Sequence, residues 1–429
     1  MDYIRGFVGL IVLIAIAFLF SKNRKAIDWK LVGVGVLLQL VFAILITKVG
    51  FVEDMFSWIS GKFVTFLSFA SEGANFLFGD LTKTEKFGFI FAFQVLPTVI
   101  FFSTVSAGLY YLGILQKIVF GIAWIMSRTM RLSGAESLSA AGNIFLGQTE
   151  APLLVRPFVK NMTTSELMCL MTGGMATIAG GVLAGYVAFL GGDDPVERAK
   201  YAAYLLSASI MNAPAAIVLS KIVMPEDRPE DIDTEIRVSK DSLGVNLIDA
   251  LARGASDGVG LAINIAGMLL AFIAIIYALN WILVDGIGDI TGLNQYVVES
   301  TNGVFQGFSL EYILGQIFRA FAFIMGVDWD ETIKVGSLLG QEVVINEFVA
   351  YLSLADMKAT GVLSQKAIVI STYALCGFAN FSSIAIQIGG IGGMAPNRQG
   401  DLSRLGMRAL FAATLATMMT ATIAGALFG

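Results

Sequence analysis

The chain has 429 residues, 56% of them hydrophobic and 14% charged, with a mean hydropathy of +0.77 and a formal net charge of −5. That composition leaves a soluble fold too little polar surface, so an integral membrane protein is expected, and the acidic balance argues against a nucleic-acid partner. Histidine is absent, which excludes a His-ligated metal site and a His proton relay, and the two cysteines, Cys169 and Cys376, sit inside apolar runs with no disulfide framework.

In chain order, the first residues carry Asp2 and Arg5 without a basic n-region or a small-residue cleavage site, so the first apolar run reads as an uncleaved helix. Spans are expected near 6–20, 31–47, 88–111, 166–190, 202–224, 254–283, 365–389 and 402–427, about eight by the length rule. Backbone groups in hydrocarbon must be satisfied within their own segment, and runs of this length make helices rather than barrel strands. The fold class is therefore an all-α polytopic membrane protein. The stretch 51–78 interleaves aromatic residues with Ser and Gly and reads as an amphipathic helix on the membrane surface, and 305–325 as a second one. Two further stretches, 133–162 and 329–357, are interrupted by polar residues at their middles. Re-entrant helical hairpins fit them, because irregular backbone at membrane depth survives only inside protein or along a watery cavity.

Basic residues set the orientation. Lys22, Arg24, Lys25, Lys221, Arg228, Arg237, Lys240, Arg398, Arg404 and Arg408 fall in alternate connections and 286–318 has none, which puts both termini outside the cytoplasm; Lys62, Lys83 and Lys86 run against the bias. The polar insert 225–240 reads as a solvated loop joining two halves.

One pattern occurs twice. Gly147-Gln148-Thr149-Glu150 is followed by Gly174-Met175-Ala176-Thr177-Ile178-Ala179, and Asn346-Glu347-Phe348 by Gly377-Phe378-Ala379-Asn380-Phe381-Ser382-Ser383. A carboxylate in an apolar stretch followed by a break in a second one is the mark of a secondary transporter built from internal repeats, with its ligands held where helices unwind. A glutamate at mid-membrane costs about 2.5–3.5 kcal/mol on insertion scales, so Glu150 and Glu347 are candidates for function. The bland alternative is pairing with a base, and Arg156 and Lys160 are near enough in sequence to serve Glu150. Gln148, Thr149 and Glu150 offer donors and acceptors in a row, suited to a polar, uncharged ligand. Asn380 and Ser383 share a helical face with Phe378 beside them, unless they only glue helices together. The Gly-rich break around Thr177 frees carbonyl oxygens for a hard monovalent cation, unless its glycines serve close packing alone.

At these residues the chain resembles the concentrative nucleoside transporters. The likeness rests on Gly147-Gln148-Thr149-Glu150, Ala176-Thr177-Ile178-Ala179-Gly180, Asn346-Glu347-Phe348-Val349-Ala350-Tyr351 and Cys376-Gly377-Phe378-Ala379-Asn380-Phe381-Ser382-Ser383, with weaker similarity from about Phe78 onward. The resemblance implies a homotrimer whose protomers each carry an outer scaffold and an inner elevator-type transport domain in inverted repeats. It divides the chain into 1–132 (mainly scaffold), 133–224 (first transport repeat), 225–328 (loop, long scaffold helix and interfacial segment) and 329–429 (second transport repeat). It places Gln148, Thr149 and Glu150 on the nucleobase with Val182 and Phe378 flanking, and Glu347, Asn380 and Ser383 on the ribose hydroxyls. It gives a sodium ion to Asn143, Leu146, Thr177 and Ile178, largely through main-chain oxygens.

The implied activity is sodium-coupled import of nucleosides such as uridine across a bacterial cytoplasmic (inner) membrane, with no cofactor besides the coupling ion and no catalytic residue. Proton coupling through Glu150 or Glu347 is the alternative. One departure stands out: Glu342 occupies a position that is commonly basic in the family. An intramembrane enzyme using Glu150 and Glu347 would lack an activated nucleophile and metal ligands, and a channel would show a ring of like groups.

Overall fold

A computed structural model describes residues 2–192, 194–236 and 244–428, and among these every regular element is helical. Arg237 and Lys240, with the end of the 225–240 insert, lie outside the described residues. Seven helical stretches are long and apolar enough to cross a membrane, and the eighth expected span, 365–389, is present as two shorter helices.

The chain opens with α1 (Asp2–Leu19), α2 (Trp29–Lys48) and α3 (Gly50–Phe78). Asp28 caps α2 by accepting from Lys30 N and Leu31 N. The stretch expected as a surface helix is the single 29-residue helix α3, which packs on α2 and leaves Phe51, Trp58 and Phe76 exposed. Next come α4 (Leu96–Tyr111) and α5 (Ile114–Met130). Helix α5, which no expected span covers, is amphipathic, with Leu115, Val119, Ala123, Met126 and Met130 buried at helical spacing and Trp124 exposed under the Arg128 guanidinium.

The first hairpin begins at α6 (Gly134–Asn143), started by a reciprocal cap in which Ser133 and Glu136 bond each other's backbone amides. Ten residues rise only about 15 Å, half the hydrocarbon thickness. The chain turns at 144–150 and returns through the tight turns of Ala151–Val155 and the short helix Arg156–Val159. Pro152 and Pro157 remove amide donors there, so a regular return helix does not form.

A second reciprocal cap, Thr163 with Glu166, starts α7 (Thr164–Ala176). Thr177 and Ala179 are extended, and the helix resumes as α8 (Gly180–Gly191). The long helix α9 (Pro195–Val223) closes this half. Helices α7 and α8 are almost wholly buried, whereas the stretch containing α10 (Leu247–Asn280) is largely exposed. The broken helix is thus the interior of the molecule, and α10 is peripheral. Gly254 and Gly258 bring α10 against the backbone of α4, where a Cβ would lie 2.9 Å from Ser103 O and 2.8 Å from Ile100 Cα respectively. This small-xxx-small contact fastens α4 to α10.

The order recurs with α11 (Leu310–Ile324), then the second hairpin α12 (Thr332–Val344) and α13 (Glu347–Ala359), the broken pair α14 (Gln365–Ala374) and α15 (Phe381–Met394), and the long helix α16 (Gln399–Phe428). The helix expected within 305–325 is α11, and it lies along the hairpin, with Gly336 so close that a Cβ would be 2.6 Å from Gly315 O.

The two hairpins enter from opposite ends. Arg398 at the foot of α16 donates to Met162 O at the base of the first hairpin, and Lys22 N reaches Val223 O at that end. At the other end Lys358, at the base of the second hairpin, bonds Leu190 O and Glu197, while Asp2 pairs with Lys366. The first end therefore gathers Lys22 and Arg398 of the basic connections, and α1 and α16 have their terminal ends at the second.

Candidate functional site

Both hairpin tips and both helix breaks converge inside the protein. Gly180 N donates to Phe145 O (3.2 Å), which ties the first tip to the first break. Asn346 caps α13 by accepting from Val349 N (3.0 Å), and Asn380 caps α15 by accepting from Ser383 N (2.9 Å). These polar residues are where they are because a helix interrupted inside a membrane has amides that need side-chain acceptors.

All eight side chains expected to hold the solute line one cavity of about 120 Å3: Gln148, Thr149, Glu150, Val182, Glu347, Phe378, Asn380 and Ser383. Their polar groups bond one another across it. Gln148 Nε2 donates to Ser383 Oγ (3.1 Å), and the Glu347 carboxylate accepts from Asn380 Nδ2 (2.7 Å) and Tyr186 OH (3.1 Å). Val182 and Phe378 give the cavity apolar walls, with Leu261, Ile265 and Met268 of α10 opposite. The volume is below the about 300 Å3 at the lower end of small-molecule sites, so a sugar-bearing ligand must part these internal bonds to enter.

Glu150 accepts from Gly147 N (2.6 Å) and so closes its own hairpin tip. It also lines an adjoining cavity of about 110 Å3 with Asp257, Ser103 and Ser106, and Asp257 is the charge it faces. Three participants escaped the sequence reading. Tyr186 lies one helical turn beyond Val182, holds Glu347 and stacks on Tyr351 at 4.3 Å. Gln387, one turn beyond Ser383, donates to Gln148 Oε1 (3.2 Å) and Met171 O (3.0 Å). Asp257 stood in plain view as a charge within an apolar run. The i, i+4 rule applied to Val182 and Ser383 finds the first two.

The four residues expected at the ion are all buried, and Asn143 and Thr177 both lie against Gly173. Asn143 is the last residue of α6, buried, with neither amide atom hydrogen-bonded, and its Nδ2 would lie 3.0 Å from a Cβ at Gly173. Thr177 and Ile178 form the extended break, where Thr177 Oγ1 donates to Gly173 O (2.8 Å) and keeps its own lone pairs. Leu146 is buried in the adjoining hairpin turn. The C-termini of α6 and α7 both end here, and helix C-termini favour a cation. Unpartnered Asn143 atoms beside two such ends suit a small monovalent ion. A larger cavity of about 650 Å3 between α3, α4 and α10 is lined by apolar residues alone, such as Phe69, Phe101 and Leu270, and has nothing to orient a polar ligand.

Comparison with known proteins agrees with this geometry. Three family models match successive parts of the chain: "Na+ dependent nucleoside transporter N-terminus" over residues 8–81, "Nucleoside recognition" over 92–193 and "Na+ dependent nucleoside transporter C-terminus" over 204–425. The uncharacterized transporter YutK of Bacillus subtilis (strain 168) is 41% identical, covering 99% of both chains. Sodium/nucleoside cotransporter 1 of Homo sapiens is 40% identical over 99% of this chain, which spans 63% of that longer protein. Among solved structures, CNTnw in an inward-facing substrate-bound state superposes with a TM-score of 0.87 at 40% identity over 100% of this chain and 98% of that one, and an outward-facing structure of CNTnw also gives 0.87. With relatives of this identity along its whole length, the chain belongs to the concentrative, Na+-dependent nucleoside transporter family, and it is a transporter, not an enzyme.

Proposed function

We propose that this protein is a sodium-coupled importer of nucleosides such as uridine, working by an elevator-type alternation of access. The observation that carries the reading is the convergence of residues 147–150, 346–348 and the two helix breaks on one cavity lined by Gln148, Glu150, Glu347, Asn380 and Ser383. Gln148, Thr149 and Glu150 face the nucleobase, with Val182 and Phe378 flanking it. Glu347, Asn380 and Ser383 take the ribose hydroxyls in place of the bonds they now make with one another and with Gln148.

Sodium is held by Asn143, Leu146, Thr177 and Ile178. The ion draws the C-terminal ends of α6 and α7 together and so fixes Gln148 to Glu150 at the tip of the same hairpin. Ion and nucleoside then raise each other's affinity by one common factor, and no covalent step is required. Membrane potential adds about 2.3 kcal/mol per charge per 100 mV, enough for about fifty-fold accumulation.

In this reading residues 133–224 and 329–429 move together as the transport domain, while 1–132 and 225–328, with α4 fastened to α10, form the scaffold. The family likeness supports assembly as a homotrimer in a bacterial inner membrane, and the exposed apolar length of α10 is surface that lipid or a second protomer must cover. Proton coupling through Glu150 or Glu347 is the second reading, favoured by both carboxylates lining the cavity. Radiolabelled uridine uptake into proteoliposomes separates the two: the expected result is accumulation under an imposed sodium gradient, and accumulation with a proton gradient in sodium-free buffer would overturn sodium coupling.

A further inference from the structure

The second hairpin contains a carboxylate that the nucleoside reading does not use. Glu342 is 1% exposed, its Oε1 has no hydrogen-bond partner, and it lies in the last turn of α12. The cavity described above does not include it. Its surroundings are the wrong kind for an anion. A helix C-terminus carries a partial negative charge, so a carboxylate there is disfavoured. Around it stand Glu347 and Tyr351 of α13 and Cys376 just beyond α14, none of them a cation.

The remaining charged or titratable groups on the elements packed against α12 are engaged elsewhere or exposed. Arg319 of α11 bonds Thr332 Oγ1, and Glu311 accepts from Asn280. Lys334 of α12 itself bonds Val362 O. On α13, Lys358 bonds Glu197, and Asp356 is exposed. On α14, Lys366 pairs with Asp2, while Tyr373 bonds Ser207. Every lysine and arginine between α11 and the end of α14 is thus accounted for, and none neutralises Glu342.

The position has a counterpart. In the first half, the C-termini of α6 and α7 meet at Asn143, whose amide atoms are unpartnered. In the second half, Glu342 stands in the last turn of α12, and α14 bears a buried Ser371 Oγ without a partner. Both places present unpartnered oxygens near helix ends that favour positive charge. The second adds a full carboxylate, for which a proton is a sufficient ligand, since one oxygen accepts it and the product is neutral.

Resting on the nucleoside-transport reading, we propose that Glu342 is a second cation site, loaded by a proton that crosses with the nucleoside. The carboxylate takes a proton from water on one side of the membrane to become the carboxylic acid, and releases it to water on the other.

The test is uridine-driven proton entry in proteoliposomes carrying a lumenal pH dye, with sodium and charge movement followed in parallel. Wild-type protein is expected to acidify the lumen when uridine enters with sodium. Glu342→Gln is expected to lose the acidification, keep sodium-driven uptake and halve the charge moved per uridine. Glu342→Asp, which keeps the carboxyl, is expected to retain acidification. Uridine uptake by the wild type without a pH change overturns the proposal whether or not the variants fold. So does acidification that survives in Glu342→Gln, or a drop in that variant's sodium count with its proton count unchanged. Absence of any nucleoside uptake by the wild type overturns instead the transport reading on which the proposal rests.

Discussion

Glu347 carries the heaviest duty of any single side chain, because its two oxygens join residues from both halves of the chain: Tyr186 from the first and Asn380 from the second. Hydrogen bonds to a charged group contribute about 1.5–3 kcal/mol each, which is about 10- to 150-fold in affinity. Glu347→Gln keeps the shape but turns one acceptor into a donor facing the Asn380 amide. Uridine binding by titration calorimetry is expected to be lost from a protein that still elutes as a folded species. Tyr186→Phe keeps the stack on Tyr351 and removes only the hydroxyl, so a loss of about tenfold is expected. Unchanged affinity in both variants would remove Glu347 from the binding site.

At this scale the sequence was legible where a polar group interrupts an apolar run. Glu150, Glu347 and Asn380 announced themselves by the cost of placing them there, and so did the convergence of the residues around them once the family likeness was added. Tyr186 and Gln387 were not seen, since a tyrosine or glutamine on an apolar helix looks like ordinary filling until its neighbour across the cavity is known. The i, i+4 spacing from Val182 puts Tyr186 on the cavity face, but its bond to Glu347 joins positions 161 apart and is visible only in the fold.

Among the elements, the breaks do the positioning. The extended Thr177–Ala179 segment ends α7 at mid-depth, and Gly180 restarts the helix where a Cβ would fall 2.2 Å from the Phe102 ring. A Cβ here would have to displace the Phe102 ring, and no unusual backbone angle is involved. Thr177→Val removes one oxygen from the ion site while keeping the branched shape. The sodium concentration for half-maximal uptake is expected to rise by about tenfold, roughly the worth of one hydrogen-bond-strength contact, with little change in the ranking of competing nucleosides. An unchanged sodium dependence would exclude the hydroxyl from ion binding.

Long apolar elements were readable from length and hydropathy, and the hairpins from their polar middles. Helix α5 was not, because an amphipathic surface helix is too polar for the span rule and lacks the doubled motif that marked the hairpins. The return arm of the first hairpin is irregular, as a stretch with two prolines must be. Its two prolines, Pro152 and Pro157, were the available warning.

For the whole molecule, the account requires the inner body to move against α4 and α10, and one contact across that boundary can be tied shut. A Cβ at Gly181 would lie 3.5 Å from Phe102 Cβ, within the separation a disulfide spans. The native Cys169 and Cys376 are buried and leave the engineered pair to react alone. The decisive measurement is sodium-driven uridine uptake by the double variant Phe102→Cys, Gly181→Cys in proteoliposomes, before oxidation, after it, and after reduction. The account predicts accumulation while the thiols are free, arrest once the bond forms, and recovery with reductant. Uptake that continues at full rate with the cross-link in place would contradict it.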